Sequence, residues 1–530
     1  MATKKGGVAV KNEARGKENV SAPKKTPVQK VDDLQRAEAL EKKAFVPVEG
    51  CKRVLFVTAE AMPYLRSGGL GDVAGALPQA LGEVGIDCRV VMPLYSLIPD
   101  HYRKEMRYVG KTFVTLGWRS QYVGVFEAEH NGIKYYFIDN EYYFRRHSMY
   151  GQPDDGERFA YFCKAVLEVL TFLDFQPQVI HCNDWHTGLL PVFLDVFYRG
   201  NPRLADVKTV YTIHNIQFQG NYGMELASDV CGLPPEARSL VEYGGRLNMM
   251  KGAIESANVV TTVSETYAKE LQDPFYAYGL ESILRERAYK MVGIINGIDT
   301  ALYDPTTDAS VFVPFDVDHL EARAQNKARL CELLHLNYRA DRPLLAMVTR
   351  LTTQKGLDLV VSVAEELLSG DLQLVILGTG EWRYESALKD LEHRYGAKLR
   401  VIINFSSDLA GKLYAGSDIF LMPSRFEPCG LSQMIAMRYG SLPVVRETGG
   451  LKDSVKAYNP MTGKGTGFTF YAYDPQEMMA AIWRAVDTYY NNPVAWRSLM
   501  EQAMRCDFSW TQSADRYREL YDTLVLPVHV

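Results

Sequence analysis

The chain repeats one pattern along its length: a short apolar run, a loop rich in glycine or charge, and then a helical periodicity. The first copy covers residues 52–58, 66–72 and 73–85, and the pattern starts again at residue 344. Apolar runs of this length are typical of parallel strands buried on both faces, and strands that alternate with helices build doubly wound sheets. The sequence therefore predicts an α/β fold with two doubly wound, Rossmann-like domains that face a cleft.

The predicted strands end one after another in polar loops. They cover residues 52–58, 88–93, 179–183, 208–213, 259–264 and 292–295 in the first half, and 344–349, 372–377, 399–405, 418–424 and 442–446 in the second. Asn131-Gly132 lies between two alternating runs and predicts a hairpin. Ser264 predicts a helix N-cap, and a last helix is predicted over residues 511–524.

The predicted domain borders follow from where this periodicity stops. Residues 1–45 carry 11 Lys and Arg, 6 Asp and Glu and one aromatic side chain, a composition that predicts a disordered tail rather than a secretory signal. A transit peptide to a plastid is an open alternative, which the six acids and the few Ser and Arg residues of the tail support only weakly. The predicted organisation is a tail at 1–45, an N-terminal domain at 46–310, a linker at 311–342, a C-terminal domain at 343–510 and, at 511–530, a helix that returns toward the N-terminal domain.

Composition excludes several classes of function. The net charge of −5 argues against nucleic-acid binding, and no apolar run is long enough to span a bilayer. The eight cysteines are scattered without a C-x-x-C pair, which favours reduced thiols in a reducing compartment. We therefore expect a cytoplasmic protein with no nucleic-acid or membrane partner.

Glu427 lies where the predicted strand 418–424 enters a loop and the loop opens a helix. In open α/β sheets, ligands bind beyond the carboxyl ends of the strands, and a new helix offers unpaired N–H groups there. Gly430 would let the backbone approach a ligand. The alternative is an acid that only stabilises the start of its helix.

The first glycine loop, 66–72, is neither a dinucleotide fingerprint nor a Walker loop. Its glycines can still turn N–H groups toward an anion, and Arg66 adds a forked cation. A plain tight turn with an exposed Arg66 is equally compatible with the pattern. His181 and His186 also lack metal-site spacing, so we expect neutral imidazoles that hydrogen-bond sugar hydroxyls or backbone.

Arg350 and Lys355 stand five residues apart across a strand-to-helix loop, where two cations can hold a diphosphate. Backbone N–H groups are expected from residues 378–380 and 448–451. The segment 142–150 is aromatic and charged, which suits either a carbohydrate surface or a partly buried loop. A nucleotide-sugar bound between two α/β domains accounts for these features together with Glu427.

From residue 53 to 521 the chain resembles bacterial glycogen synthases and plant starch synthases. The motifs that carry the resemblance are S-G-G-L-G-D (67–72), H-N-x-x-x-Q-G (214–220), T-V-S-E-T-Y (262–267), N-G-I-D (296–299), R-L-T-x-Q-K-G (350–356), G-T-G (378–380), E-P-C-G-L-x-Q (427–433) and T-G-G-L (448–451). The resemblance implies a GT-B fold with the acceptor on the N-terminal domain and the nucleotide-sugar on the C-terminal domain. It also implies transfer of glucose from ADP-glucose to an α-1,4-glucan, with retention of configuration and without cofactor or metal.

The resemblance also implies roles for individual positions. Arg350 and Lys355 would bind the pyrophosphate, Glu427 would bind glucose and support an oxocarbenium-like transition state, and His214 would contact the sugar. The implied substrate-binding positions are Arg66, Gly68, Gly69, Asp72, Tyr143, Asn215, Asn296, Gly378, Thr379, Gly380, Cys429, Gly430, Leu431, Thr448, Gly449 and Gly450.

One departure leaves alternatives open. Arg66-Ser67 stands where the family usually has Lys-Thr, which bears on donor affinity and donor choice. The alternatives are another retaining GT-B transferase that uses UDP-glucose, or a catalytically silent glucan-binding homologue. The silent homologue is disfavoured by the intact set of Arg350, Lys355, Glu427 and His214.

Overall fold

The computed structural model describes residues 53–525, so the predicted tail at 1–45 lies outside the described residues. The first half is built on a nine-stranded sheet in the order β12-β11-β7-β6-β1-β2-β5-β4-β3. All neighbours are parallel except β4, which runs antiparallel to β3 and β5. These strands are β1 (Arg53–Val57), β2 (Asp87–Pro93), β3 (Arg107–Leu116), β4 (Arg119–His130), β5 (Ile133–Asp139), β6 (Val179–Asn183), β7 (Lys208–Ile213), β11 (Val259–Thr262) and β12 (Met291–Gly293).

Helices cover both faces of this sheet, and a small three-stranded sheet lies beside it. The small sheet consists of β8 (Asn221–Tyr222), β9 (Glu242–Tyr243) and β10 (Arg246–Asn248). The helices are α1 (Gly69–Glu83), α2 (Asp100–Glu105), α3 (Glu141–Phe144), α4 (Asp155–Leu170), α5 (Leu189–Phe193), α6 (Glu225–Asp229), α7 (Met249–Ser256), α8 (Glu265–Glu270), α9 (Pro274–Ala277) and α10 (Glu281–Glu286).

The second half is built on a six-stranded, fully parallel sheet in the order β15-β14-β13-β16-β17-β18. Its strands are β13 (Leu344–Val348), β14 (Gln373–Leu377), β15 (Leu399–Ile402), β16 (Ile419–Met422), β17 (Leu442–Arg446) and β18 (Phe468–Phe470). Its helices are α11 (Ala322–Leu333), α12 (Leu357–Ser369), α13 (Trp382–Tyr395), α14 (Ser407–Gly416), α15 (Ser432–Arg438), α16 (Gly449–Ser454), α17 (Pro475–Asn491), α18 (Pro493–Met504) and α19 (Trp510–Val525). The predicted two-domain α/β architecture is confirmed.

Local sequence accounts for several of these boundaries. Asn131 and Gly132 both have positive φ (49° and 77°), as the two-residue turn between β4 and β5 requires. The Ser264 hydroxyl accepts a hydrogen bond from the Tyr267 N–H at 3.1 Å and caps α8, as predicted. Strands β6 and β7 are buried almost throughout, which is why their bounds match the predicted apolar runs.

Two parts of the chain differ from the predicted pattern. Helix α11 lies inside the predicted linker at 311–342, and β18 adds a sixth strand where five were predicted in the second half. A three-residue strand is too short to show periodicity. The last helix, α19, packs against α1 of the first half. The predicted domain borders stay predictions.

Candidate functional site

The loops after β13 and β16 bring together a cation and a carboxylate. Lys355 Nζ donates to Glu427 Oε2 at 2.5 Å, and Ser424 Oγ donates to the same oxygen at 3.0 Å. The contact follows from topology, because β13 and β16 are hydrogen-bonded parallel neighbours whose carboxyl ends lie at one edge of the sheet. The Glu427 side chain is 8% exposed and that of Lys355 16% exposed, so the pair is largely shielded from water.

Glycines shape both of these loops. Gly356 has φ +77°, and a Cβ there would overlap the Pro423 carbonyl oxygen. Gly430 has φ +70°, and a Cβ there would overlap the Gln433 amide, which donates to the carbonyls of Cys429 and Gly430. Glycine alone fits these positions without strain, so the loop geometry around Glu427 is fixed locally.

Arg350 lies at the end of β13 and is exposed. Its guanidinium makes no hydrogen bond or ion pair within residues 53–525. In the neighbouring loop 378–380, two of the three predicted donors already have acceptors, because Gly378 N–H donates to the Ile402 carbonyl and Gly380 N–H donates to the Glu385 carboxylate. Within residues 53–525, the Arg350 guanidinium and the Thr379 N–H are therefore two groups of this edge that an anion could engage without breaking a hydrogen bond.

The amides of the T-G-G-L segment also have protein acceptors. Gly449 N–H donates to the Glu270 carboxylate, and Gly450 N–H donates to the Glu427 carbonyl at 3.1 Å. A ligand would have to displace Glu270 to reach the Gly449 amide. Of the other predicted positions nearby, Cys429 and Asn296 are buried and Leu431 is half-buried, while burial raises the pKa of the Cys429 thiol to about 12.

His214, at the end of β7, lies in the first half of the chain and is half-buried. Its Nε2 lies 2.9 Å from Asn183 Oδ1, and the Asn183 amide nitrogen donates to the Val57 carbonyl. This orientation of Asn183 makes Nε2 the protonated nitrogen of His214 and leaves Nδ1 as an acceptor. Burial lowers the pKa of His214 to about 3, so the ring is neutral at physiological pH.

Asp184 orients this loop and was not among the predicted site residues. Its Oδ1 accepts hydrogen bonds from the backbone N–H groups of His214 (2.8 Å) and Asn215 (3.3 Å). Asp184 has φ +54° and ψ 179°, a strained conformation that its surroundings must hold in place. Burial raises its pKa to about 7. Its place at the end of β6, beside the predicted His loops, is the signal that could have identified it.

In the first glycine loop, the Arg66 guanidinium forms an ion pair with the Asp72 carboxylate. Glu60, also missed from the sequence, accepts hydrogen bonds from the backbone N–H and the hydroxyl of Ser67. A Cβ on Gly68 or Gly69 would meet no atom within 4 Å. Glu60 thus anchors the loop by hydrogen bonds to Ser67, while Gly68 and Gly69 face open space.

The predicted Tyr143 has no exposed surface in this structure. Its side chain is fully buried, and its hydroxyl donates to Glu157 at 2.7 Å. His181 hydrogen-bonds the hydroxyls of Tyr521 and Thr212 rather than backbone, because β6 runs through the middle of its sheet. Within residues 53–525 no three His, Cys, Asp or Glu side chains are grouped closely enough to hold a metal ion.

Two exposed rings follow strands at the carboxyl edge of the second sheet and were also not predicted. Trp382 begins α13 after β14, and Phe405 follows β15; each is 79% exposed. A large ring left in solvent at the ligand-binding edge of a parallel sheet is a surface on which a flat base can stack. Exposure, which the sequence does not show, is what distinguishes them from core aromatics.

The sequence is similar to those of known proteins along most of its length. Glycogen synthase from Anoxybacillus flavithermus is 49% identical over 475 residues, which cover 89% of this chain and 98% of the relative. The chain belongs to the glycogen synthase family. Glycogen synthase from Clostridium novyi is 48% identical over 476 residues, covering 89% of this chain and 99% of that one.

Family and structure comparisons agree with this membership. Residues 53–286 match the starch synthase catalytic domain, and residues 335–497 match glycosyl transferases group 1. The catalytic domain of starch synthase IV from Arabidopsis thaliana, bound to ADP and acarbose, superposes with a TM-score of 0.82 at 33% identity, covering 90% of this chain and all of that one. Sucrose-phosphate synthase from Thermosynechococcus elongatus (TM-score 0.56, 17% identity, 89% and 99% coverage) shares the fold.

The glycogen synthase family membership and the predicted GT-B fold are thereby confirmed, and the protein is a glycosyltransferase. No helix within residues 53–525 has the length and apolar character needed to cross a membrane.

Proposed function

We propose that this glycosyltransferase moves glucose from ADP-glucose to the non-reducing end of an α-1,4-glucan with retention of configuration. The observation that carries the proposal is the contact of Lys355 with Glu427 beside an unpartnered Arg350. Glycogen synthase relatives and the ADP- and acarbose-bound starch synthase IV support the choice of donor and acceptor.

The cations act on the leaving group. Among the described residues the Arg350 guanidinium has no hydrogen bond or ion pair, so it can receive the donor's diphosphate without losing a bond. Lys355 then exchanges Glu427 for a phosphate oxygen, which has the charge and geometry that an ammonium group binds well. Both cations neutralise the charge that develops on ADP as the glycosidic bond breaks.

Glu427 acts on the sugar. When Lys355 turns to the phosphate, the Glu427 carboxylate keeps its bond from Ser424 and becomes free to accept from glucose hydroxyls. A carboxylate held in a shielded loop stabilises positive charge on the sugar ring more strongly than one in water would. This placement supports an oxocarbenium-like transition state.

The first half presents the acceptor side. Neutral His214 offers Nδ1 to a sugar hydroxyl, and its ring is oriented through Asn183. Asp184 holds the backbone of the same loop, while Arg66 and the open side of the glycine loop line the approach. We infer that the remaining predicted positions, Asn215 and Asn296 among them, surround the same substrate.

Purified protein tests the proposal when it is incubated with glycogen and either ADP-glucose or UDP-glucose. We expect glucose to be incorporated faster from ADP-glucose than from UDP-glucose. The new bonds should be α-1,4 linkages, which an α-amylase cleaves. Faster transfer from UDP-glucose to a small acceptor would support a different retaining transferase. Absence of transfer from both donors, with glycogen still bound, would support a silent glucan-binding homologue.

A further inference from the structure

Helices α8 and α16 pack against each other although one belongs to the first half of the chain and the other to the second. Helix α8 begins within the T-V-S-E-T-Y motif and α16 within T-G-G-L. The first of these motifs has no role in the site described above. The contacts between α8 and α16 suggest a role for this motif.

Each helix carries an acid near its end that caps the start of the other. Asp453 of α16 accepts from the backbone N–H (2.9 Å) and the hydroxyl (2.5 Å) of Thr266. Glu270 of α8 accepts from the hydroxyl of Thr448 (2.9 Å) and from the N–H of Gly449 (3.1 and 3.0 Å to its two oxygens). Carboxylates stabilise helix starts by satisfying unpaired N–H groups and the positive end of the dipole.

The Glu270 end of this contact is shielded from water. Thr448 is fully buried and Glu270 is half-buried, and burial raises the Glu270 pKa above its ordinary value while the Gly449 N–H opposes that rise. Hydrogen bonds to a carboxylate in such surroundings are among the stronger ones in proteins.

The start of α16 rests directly on the backbone of the Glu427 loop. A Cβ on Gly449 would overlap the Glu427 carbonyl oxygen, and a Cβ on Gly450 would overlap that of Cys429. Gly450 N–H also donates to the Glu427 carbonyl at 3.1 Å. Any displacement of this helix start therefore displaces the backbone that carries the Glu427 carboxylate.

We propose that Glu270 is a positioning residue that links the acceptor half to Glu427 through Gly449 and Gly450. This inference rests on the proposed function, in which Glu427 contacts the sugar. The glycines of T-G-G-L then allow α16 to pack directly on the Glu427 loop. Glu270, on the helix that begins in T-V-S-E-T-Y, fixes the position of these glycines and so that of the loop. Asp453, at the other end of the helix pair, joins the two halves through Thr266, and its carboxylate accepts no hydrogen bond from residues 427–433.

The test compares Glu270→Ala with Asp453→Ala, since each removes one of the two caps. We expect Glu270→Ala to lower kcat about 10- to 100-fold, because misplacing a reacting group by about 1 Å can cost that much. The Kd for ADP should change less than about twofold, since Arg350 and Lys355 are untouched. Both alanine variants should lower Tm by similar amounts, because each removes one cap. Asp453→Ala should keep kcat near the wild-type value. Glu270→Gln retains an acceptor oxygen and should recover most of the lost rate.

Hydrogen exchange separates this inference from the proposed function, since it needs no substrate. Glu270→Ala should speed amide exchange across residues 427–433, and Asp453→Ala should speed it across residues 265–268 only. If wild type transfers no glucose but this exchange pattern holds, the proposed function fails and the link stands. Unchanged exchange at 427–433, or equal loss of kcat in both alanine variants, would show that Glu270 only joins the two halves.

Discussion

Lys355 Nζ lies 2.5 Å from Glu427 Oε2, so the cation assigned to the donor's diphosphate and the carboxylate assigned to its glucose are bonded to each other. Each group satisfies the other in a largely shielded place, where an unpaired charge would be costly. In the proposed function, donor binding separates them by offering Lys355 a phosphate. The pair thus keeps Glu427 ordered in the absence of donor.

Lys355→Ala and Arg350→Ala should both weaken ADP binding, and they should differ in stability. Lys355→Ala leaves the shielded Glu427 carboxylate without its cation, a loss that can reach about 3–5 kcal/mol. The Arg350 side chain is exposed and has no hydrogen bond or ion pair within residues 53–525, so Arg350→Ala should leave Tm unchanged. Calorimetry with ADP and thermal unfolding measure the two effects. Unchanged ADP affinity in both variants would assign the cations to structure instead.

Asp184→Asn should change how stability depends on pH. Burial raises the folded-state pKa of Asp184 from an ordinary 3.8 to about 7, so between these values the folded protein binds a proton that the unfolded chain has lost. The Asp184 contribution to the unfolding free energy therefore falls as pH rises from about 4 to about 7. Asparagine keeps the acceptor for the His214 N–H and does not titrate.

Urea unfolding at pH 5 and pH 8 measures this contribution. We expect the stability of Asp184→Asn relative to wild type to increase from the lower pH to the higher. The same difference at both values would mean that the Asp184 carboxyl does not titrate in this window.

Arg66→Ala should lower kcat more than it raises KM for the donor. The Arg66 guanidinium pairs with Asp72 on the first turn of α1, and its charge opposes the rise in Asp72 pKa that burial causes. A contact formed when the cleft closes on the donor assists the chemical step more than initial binding. Arg66→Lys should keep turnover. Steady-state kinetics of both variants test this. A wild-type kcat in Arg66→Ala would show that Arg66 is a surface charge without a role in the chemical step.

Buried parallel strands were predictable because their side chains are apolar on both faces, and β6 and β7 match their predicted bounds. Arg350, Lys355 and Glu427 were predictable because they follow such strands. Glu270 was not, since its partner Gly449 lies 179 residues along the chain. Asp184 was missed because its strained backbone and burial arise only from packing. Tyr143 shows the converse, because its ring is fully buried although it belongs to a segment whose composition is compatible with sugar binding.

The rate of glucose transfer from ADP-glucose to glycogen by Glu427→Ala, measured beside wild type, tests the central claim most directly. The account predicts active wild-type protein and a variant that is slower by about 10²–10³, because a preorganised electrostatic group has been removed. Circular dichroism confirms that the variant is folded. A folded Glu427→Ala protein that transfers glucose at a rate near that of wild type would contradict the account.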